Sequence, residues 1–259
     1  MAAYPAYPPP GYPPPYAMQP GYGMGAMPAP PPPPPPPPAP IPGCPPGLEL
    51  VAPSTCFFIR QALEAKEIET GIDGRNTYCV YNESGQQILT VHEQSTQFMR
   101  NYAGNERNFS LDFVSPYGQE VCTARRDNGC SNDVLAVYAS GAQIGRVDHG
   151  CQCCECSADF MIEDEGGQIV LSVKGDYYNM DFEIFSGSAK VGEVRKSWAG
   201  IMQEQRTHAD NFGMRISSQI PPTHKLLLLA NVMLIDYRYY EPRDGCCCCR
   251  APCCVCCRG

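Results

Sequence analysis

Lys225-Leu226-Leu227-Leu228-Leu229-Ala230-Asn231-Val232-Met233-Leu234-Ile235, running on to Asp236-Tyr237-Arg238-Tyr239-Tyr240, is the stretch on which the fold turns. It is Leu-rich and apolar on every side, the pattern of a helix surrounded by other material. Over residues 225–240 such a helix would be about 24 Å long at 1.5 Å per residue. A bilayer core needs about 30 Å, and Asn231, Asp236 and Arg238 place polar groups within the run. A helix buried in protein is the favoured reading and a membrane span the alternative. Pro221-Pro222, just upstream, stops a quite different pattern.

That earlier pattern is β. Short alternating runs meet Gly-containing turns at Asn82-Glu83-Ser84-Gly85, Ser115-Pro116-Tyr117-Gly118, Ala139-Ser140-Gly141, Asp164-Glu165-Gly166-Gly167 and Ser186-Gly187-Ser188. Beside them, Phe109, Leu111 and Phe113 interleave with Asn108, Ser110 and Asp112. Ile169, Leu171 and Val173 do so with one lapse at Val170, and Phe182 and Ile184 interleave with Asp181 and Glu183. Five hairpins give about ten strands, and residues 56–60 add an early one. So many consecutive antiparallel strands close on themselves, which removes their edges, or stack as a sandwich. The fold class is therefore mainly β, with a late hydrophobic helix.

The two ends are different material. Residues 1–43 hold no Lys, Arg, Asp or Glu, and a proline run covers Pro31 to Pro38. Too few large aliphatic groups are present to offset the ordering entropy, so this head should not fold. It contains Pro-Pro-x-Tyr twice, as Pro9, Pro10, Tyr12 and as Pro13, Pro14, Tyr16. Such segments suit the aromatic grooves of WW or SH3 domains, because the polyproline shape is already formed. A plain spacer is the other reading. Residues 242–259 form a Cys-rich tail, and residues 44–241 between them form one expected globular domain.

Charge and cysteine usage narrow the function. The net charge is -8, which argues against a partner recognised through nucleic-acid phosphates. The N-terminus has neither a basic n-region nor an apolar h-region, so secretion is not expected. Seventeen cysteines without secretion point to metal, redox chemistry or lipid rather than a disulfide framework. No nucleophile elbow, phosphate loop or zinc-protease motif occurs, and the four His are scattered, so no enzyme is expected. Arg125, Arg126 and Arg146 read as solvated charges, and the tyrosines at 237, 239 and 240 as core or lip packing.

Four stretches, in order, resemble the phospholipid scramblase family. Cys44-Pro45-Pro46-Gly47-Leu48-Glu49 is similar to its domain-opening motif. Gly192-Glu193-Val194-Arg195-Lys196-Ser197-Trp198-Ala199-Gly200-Ile201 is similar to its Trp-containing segment. Ala209-Asp210-Asn211-Phe212-Gly213 resembles the core of its calcium loop, and Leu234-Ile235-Asp236-Tyr237-Arg238-Tyr239-Tyr240-Glu241 its C-terminal ending. The resemblance implies a tubby-like fold, a closed antiparallel barrel of about twelve strands around the hydrophobic helix. It also implies calcium-stimulated, ATP-independent movement of membrane phospholipids between leaflets. S-acylation, and a barrel held on the cytoplasmic face of a membrane, the plasma membrane foremost, belong to the same implication. The rival class is a lipid-anchored adaptor that recruits WW or SH3 partners and moves no lipid.

The implied calcium loop is His208 to Gln219, with Asp210, Asn211 and Gly213 as its site residues. It departs from the twelve-residue pattern. Gly213 fills position 6 and Asp210 position 3, but His208 and Phe212 stand where side-chain oxygen ligands belong, and Gln219 stands where a bidentate acid does. One carboxylate makes a weak site for a hard cation. The cysteines depart too. The family's cluster lies near a place where this chain has only Cys130. Here the clusters are Cys151, Cys153, Cys154 and Cys156, and Cys246, Cys247, Cys248, Cys249, Cys253, Cys254, Cys256 and Cys257. Cysteine runs beside a hydrophobic segment suit S-palmitoylation. Zinc is the rival, since C-x-x-C pairs recur, although the tail pairs are closer than zinc ribbons place them. Reactive or merely tolerated thiols are the third reading.

Overall fold

The computed structural model describes residues 37–42, 44–62, 75–96, 108–128, 133–149, 158–175, 181–196 and 211–240. The chain divides into two units, Met1–Pro35 and Pro36–Gly259, and every described residue belongs to the second. Its strands are β1 (Cys56–Ala62), β2 (Thr77–Asn82), β3 (Gln87–Gln94), β4 (Phe109–Val114), β5 (Glu120–Asn128) and β6 (Asp133–Ala139). They continue as β7 (Ala142–Asp148), β8 (Ala158–Asp164), β9 (Ile169–Gly175), β10 (Asp181–Ser186), β11 (Ala189–Lys196) and β12 (Asn211–Ile216). Helix α1 (Pro222–Tyr239) follows. Each strand pairs antiparallel with the next, and β1 pairs with β12, so the barrel is closed and the sandwich alternative falls away.

All five expected hairpins form, and residue chemistry explains their tips. At Asn82 the side-chain oxygen accepts from the backbone N–H of Ser84 and Gln86, at 3.1 and 2.9 Å. Gly85, at φ 76°, then takes the left-handed conformation that closes the turn. Asp164 and Gly167 repeat the device: Asp164 Oδ1 accepts from Gly166 and Gln168. Below every tip the second strand carries one extra residue, namely Ile88, Val121, Ile144, Val170 or Val191. These bulges add twist, which a closed sheet needs. One of them corrects the sequence reading. Because Val170 is extra, alternation breaks there and Ile169 points outward, 63% exposed.

Alternation elsewhere sends one side chain in two inward, where they meet α1. The helix is buried from Lys225 to Arg238, as an all-round apolar helix must be. It starts at Pro222, three residues before the expected Lys225, because a proline is well suited to the first helical turn. It is 18 residues long, and among the described residues no helix is long and apolar enough to cross a membrane. Gly145 lets it approach β7: a Cβ there would lie 2.7 Å from Leu227 Cδ1 and 2.4 Å from the Glu163 carbonyl oxygen. Leu48 and Val51 close the barrel at the helix N-terminus, where Lys225 Nζ donates to the carbonyls of Ala52 and Ser54, at 2.6 and 2.8 Å.

Candidate functional site

Up-and-down strand order gives the barrel two unlike mouths. The five tight hairpins and the turn into α1 lie at one of them. At the other lie the last residues of β1, β3, β5, β7, β9 and β11 and the first residues of β2, β4, β6, β8, β10 and β12, together with the C-terminal end of α1. We call this second mouth the rim. It holds most of the buried polar chemistry.

Residues at the end of α1 and just past it are held from several points around the barrel. Tyr78 of β2 donates to Asp236 Oδ2 at 2.6 Å. Phe109 of β4 stacks on Tyr237 with ring centroids 4.1 Å apart. His149, one residue past β7, meets the Tyr239 hydroxyl through Nε2 at 2.8 Å, and Phe160 and Phe182 pack around both residues. Lys196 Nζ lies 3.4 Å from the centroid of the Tyr240 ring, and Phe212 packs edge-on to that ring. Thus Tyr237 is core and Tyr239 and Tyr240 line the lip, as their sequence suggested.

Arg126 corrects an expectation. It is not a solvated charge: it donates from Nε and Nη2 to both carboxylate oxygens of Asp133, each at 2.6 Å, with both side chains buried. Its guanidinium also lies 5.4 Å from the Phe109 ring centroid, which continues the stack on Tyr237. The bidentate carboxylate offsets the desolvation of such a charge. The signal was present in the sequence, because Cys122, Ala124 and Arg126 share one parity and the first two are plainly core residues. Arg146, by contrast, is exposed and pairs with Glu163. Burial, and next the Arg238 charge, push His149 down to about 4, so it is neutral at pH 7. Burial raises the Cys122 thiol well above its ordinary value, which makes it unreactive.

The remaining sequence-derived residues divide between described and undescribed parts. Asn211 opens β12, and its Oδ1 is buried with no hydrogen-bond partner. Gly213 lies mid-strand, paired with Phe58 of β1 and Arg195 of β11. Residues 211–216 of the implied twelve-residue loop are therefore strand, while Asp210 lies outside the described residues. So do Pro9, Pro10, Tyr12, Pro13, Pro14 and Tyr16, as well as both cysteine clusters, 151–156 and 246–257. Among the described residues no group of three His, Cys, Asp or Glu side chains could hold a metal ion.

A family model described as Scramblase matches residues 35–242, a span that includes every strand and the helix. The chain belongs to the scramblase family. Human phospholipid scramblase 1 is 31% identical over 214 residues, which cover 76% of this chain and 67% of that protein. Human phospholipid scramblase 2 is 30% identical over the same length, covering 76% and 71%. Mouse phospholipid scramblase 4 is 31% identical over 258 residues, 92% of this chain and 78% of its own. The chain spans about two thirds of the length of human and mouse phospholipid scramblase 1. Within this scramblase fold the rim brings together His149 and Tyr239, the described residues that precede the two cysteine-rich stretches in sequence.

Proposed function

We propose that this chain moves phospholipids between the leaflets of a bilayer, without ATP, while acylated cysteines hold it on the cytoplasmic face of a membrane, the plasma membrane foremost. Family membership across the whole barrel carries this reading. Translocation breaks no covalent bond, so no catalytic residue is invoked. Topology supports the attachment. His149 lies two residues before Cys151 and Tyr239 seven before Cys246, and these two flanking residues are in contact. The chain thus enters both cysteine-rich stretches from one mouth. Stable anchoring takes two lipid signals, each acyl chain contributing about 0.8 kcal/mol per buried CH₂. The helix fills the interior with apolar side chains, so headgroups are expected to travel outside the barrel.

Calcium enters the proposal as a weak ligand of Asp210 and Asn211, with Gly213 in the adjoining strand. One carboxylate and one amide oxygen point to affinity around 1 mM, the weak end of calcium sites. The deciding experiment reconstitutes the purified chain into vesicles carrying fluorescent phospholipids, with and without calcium. Exchange between leaflets faster than in protein-free vesicles is expected, rising at millimolar calcium. Exchange equal to protein-free vesicles would favour the adaptor, whose Pro-Pro-x-Tyr segments would then bind WW or SH3 domains and lose that binding when residues 1–43 are removed. Neutral hydroxylamine should release the chain from membranes. Resistance to it, with stoichiometric zinc that a chelator removes, would replace acylation by a metal site.

A further inference from the structure

On the outside of β9, β10 and β11 an open groove of about 420 Å³ is lined by Lys174, Asp181, Glu183, Lys190, Glu193 and Arg195. Strand pairing sets these residues in place. Glu183 stands opposite Lys174 on one side and Glu193 on the other, and Asp181 stands opposite Arg195. Lys190 Nζ bridges the two glutamates, 2.6 Å from Glu183 and 3.6 Å from Glu193. Arg195 Nη2 adds a single contact to Glu193 at 3.2 Å. Binding capacity remains. Arg195 has further N–H donors unused by that contact. Among the described residues, neither Lys174 nor Asp181 has an ion-pair partner within 4.0 Å. Lys174 Nζ lies instead 5.4 Å from the Phe185 ring centroid.

We propose that this groove binds a phosphate ester bearing a primary ammonium, the chemistry of a phosphoethanolamine headgroup. Three cations and three carboxylates make a formally neutral lining, which matches a zwitterion better than a bare phosphate dianion. Lys174 and Arg195 are placed to donate to phosphate oxygens, and Asp181, with Glu183 beside it, to accept from the ammonium. A choline headgroup has no N–H to give and is recognised through aromatic faces. Phe182 is turned into the core here, and Phe185 lies under Lys174. A serine headgroup would bring a further carboxylate against Asp181 and Glu183. The groove flanks the end of β9 and the start of β10, on the rim side. A role in transport rests on the translocation proposed above; binding itself does not.

The test titrates the purified full chain with glycerophosphoethanolamine, glycerophosphocholine and inorganic phosphate, following backbone amides of β9, β10 and β11 by NMR. The ethanolamine compound should shift these amides and bind at least about tenfold tighter than the other two, the equivalent of about 1.4 kcal/mol from a charge-assisted bond. Asp181→Asn should remove that preference and leave phosphate binding alone, whereas Lys174→Gln should weaken all three. Both side chains are exposed, so unchanged thermal midpoints should confirm that folding is intact. Equal binding of the three compounds, or a preference that survives Asp181→Asn, overturns the proposal and leaves a solvated charged face. Flotation with phosphatidylcholine vesicles, with and without phosphatidylethanolamine, separates the sources. Retention that depends on the ethanolamine lipid and on Asp181 identifies the headgroup, and its absence beside soluble binding identifies a free ester. A chain that binds normally yet exchanges no lipid overturns translocation alone.

Discussion

The hairpin tips at one mouth and the helix end at the other are built on opposite principles. At the hairpin mouth each tip is local: Asn82 bonds to residues two and four positions on, and Asp164 does the same. At the rim the decisive pairs span the chain, Tyr78 with Asp236 across 158 positions and His149 with Tyr239 across 90. Local chemistry ends strands in place. Long-range chemistry fixes the helix end against half the barrel. The contrast teaches where stability is concentrated, and where a departure from the fold would begin.

The largest effect belongs to a rim pair that is close in sequence: Arg126→Met leaves Asp133, seven positions on, buried and uncompensated. It should cost about 3–5 kcal/mol in a denaturant melt. Arg126→Met combined with Asp133→Leu should recover most of that, because no charge is then left alone; a double variant as unstable as the single would disprove the pairing account. Acid comes next. His149 titrates at about 4 in the fold, below its ordinary 6.5, so the fold favours its neutral form. Stability from this source is complete above pH 6.5 and is lost as pH falls towards 4, on the order of 3 kcal/mol. Midpoints measured from pH 7 to 4 should fall steeply, and His149→Gln should flatten that slope.

Smaller effects sharpen the comparison. Tyr78→Phe removes the donor to Asp236 and should cost about 1–3 kcal/mol. Lys225→Met leaves two carbonyls unpaired at the hairpin mouth and belongs in the same range. Combining Tyr78→Phe with the more distant Lys225→Met should give additive losses, whereas Tyr78→Phe with Phe109→Leu, both clamping consecutive helix residues, should not. Last, Gly85→Ala should cost about 1 kcal/mol through its left-handed backbone alone, since nothing lies within 4 Å of the added Cβ.

Legibility in the sequence follows the same division. All five tips could be read because Gly, Asn and Asp carry turn geometry in their own chemistry. The helix could be read because an all-round apolar run has no other stable place. Closure of β1 on β12 needed the family resemblance, because alternation does not say which edge meets which. The outward turn of Ile169 was hidden since a bulge is a matter of partner register. Arg126 was misread because one residue's polarity was weighed above its parity with Cys122 and Ala124. The groove was not read at all: its six charges come from three strands, and only the ladders make them neighbours. The cysteine clusters, plain in the sequence, lie outside the described residues, and the contact of His149 with Tyr239, near one end of each, joins positions 90 apart that no local pattern connects.

The position of α1 at the end of the described chain has a consequence for biosynthesis. On a ribosome the strands emerge first, with their inner faces apolar and nothing to enclose. The helix that fills them leaves the exit tunnel after all twelve strands, and β1 must meanwhile wait for β12. Until then the nascent sheet is an open apolar trough, the kind of surface that chaperones and membranes hold. Completion of the core thus waits for the last element of the described chain.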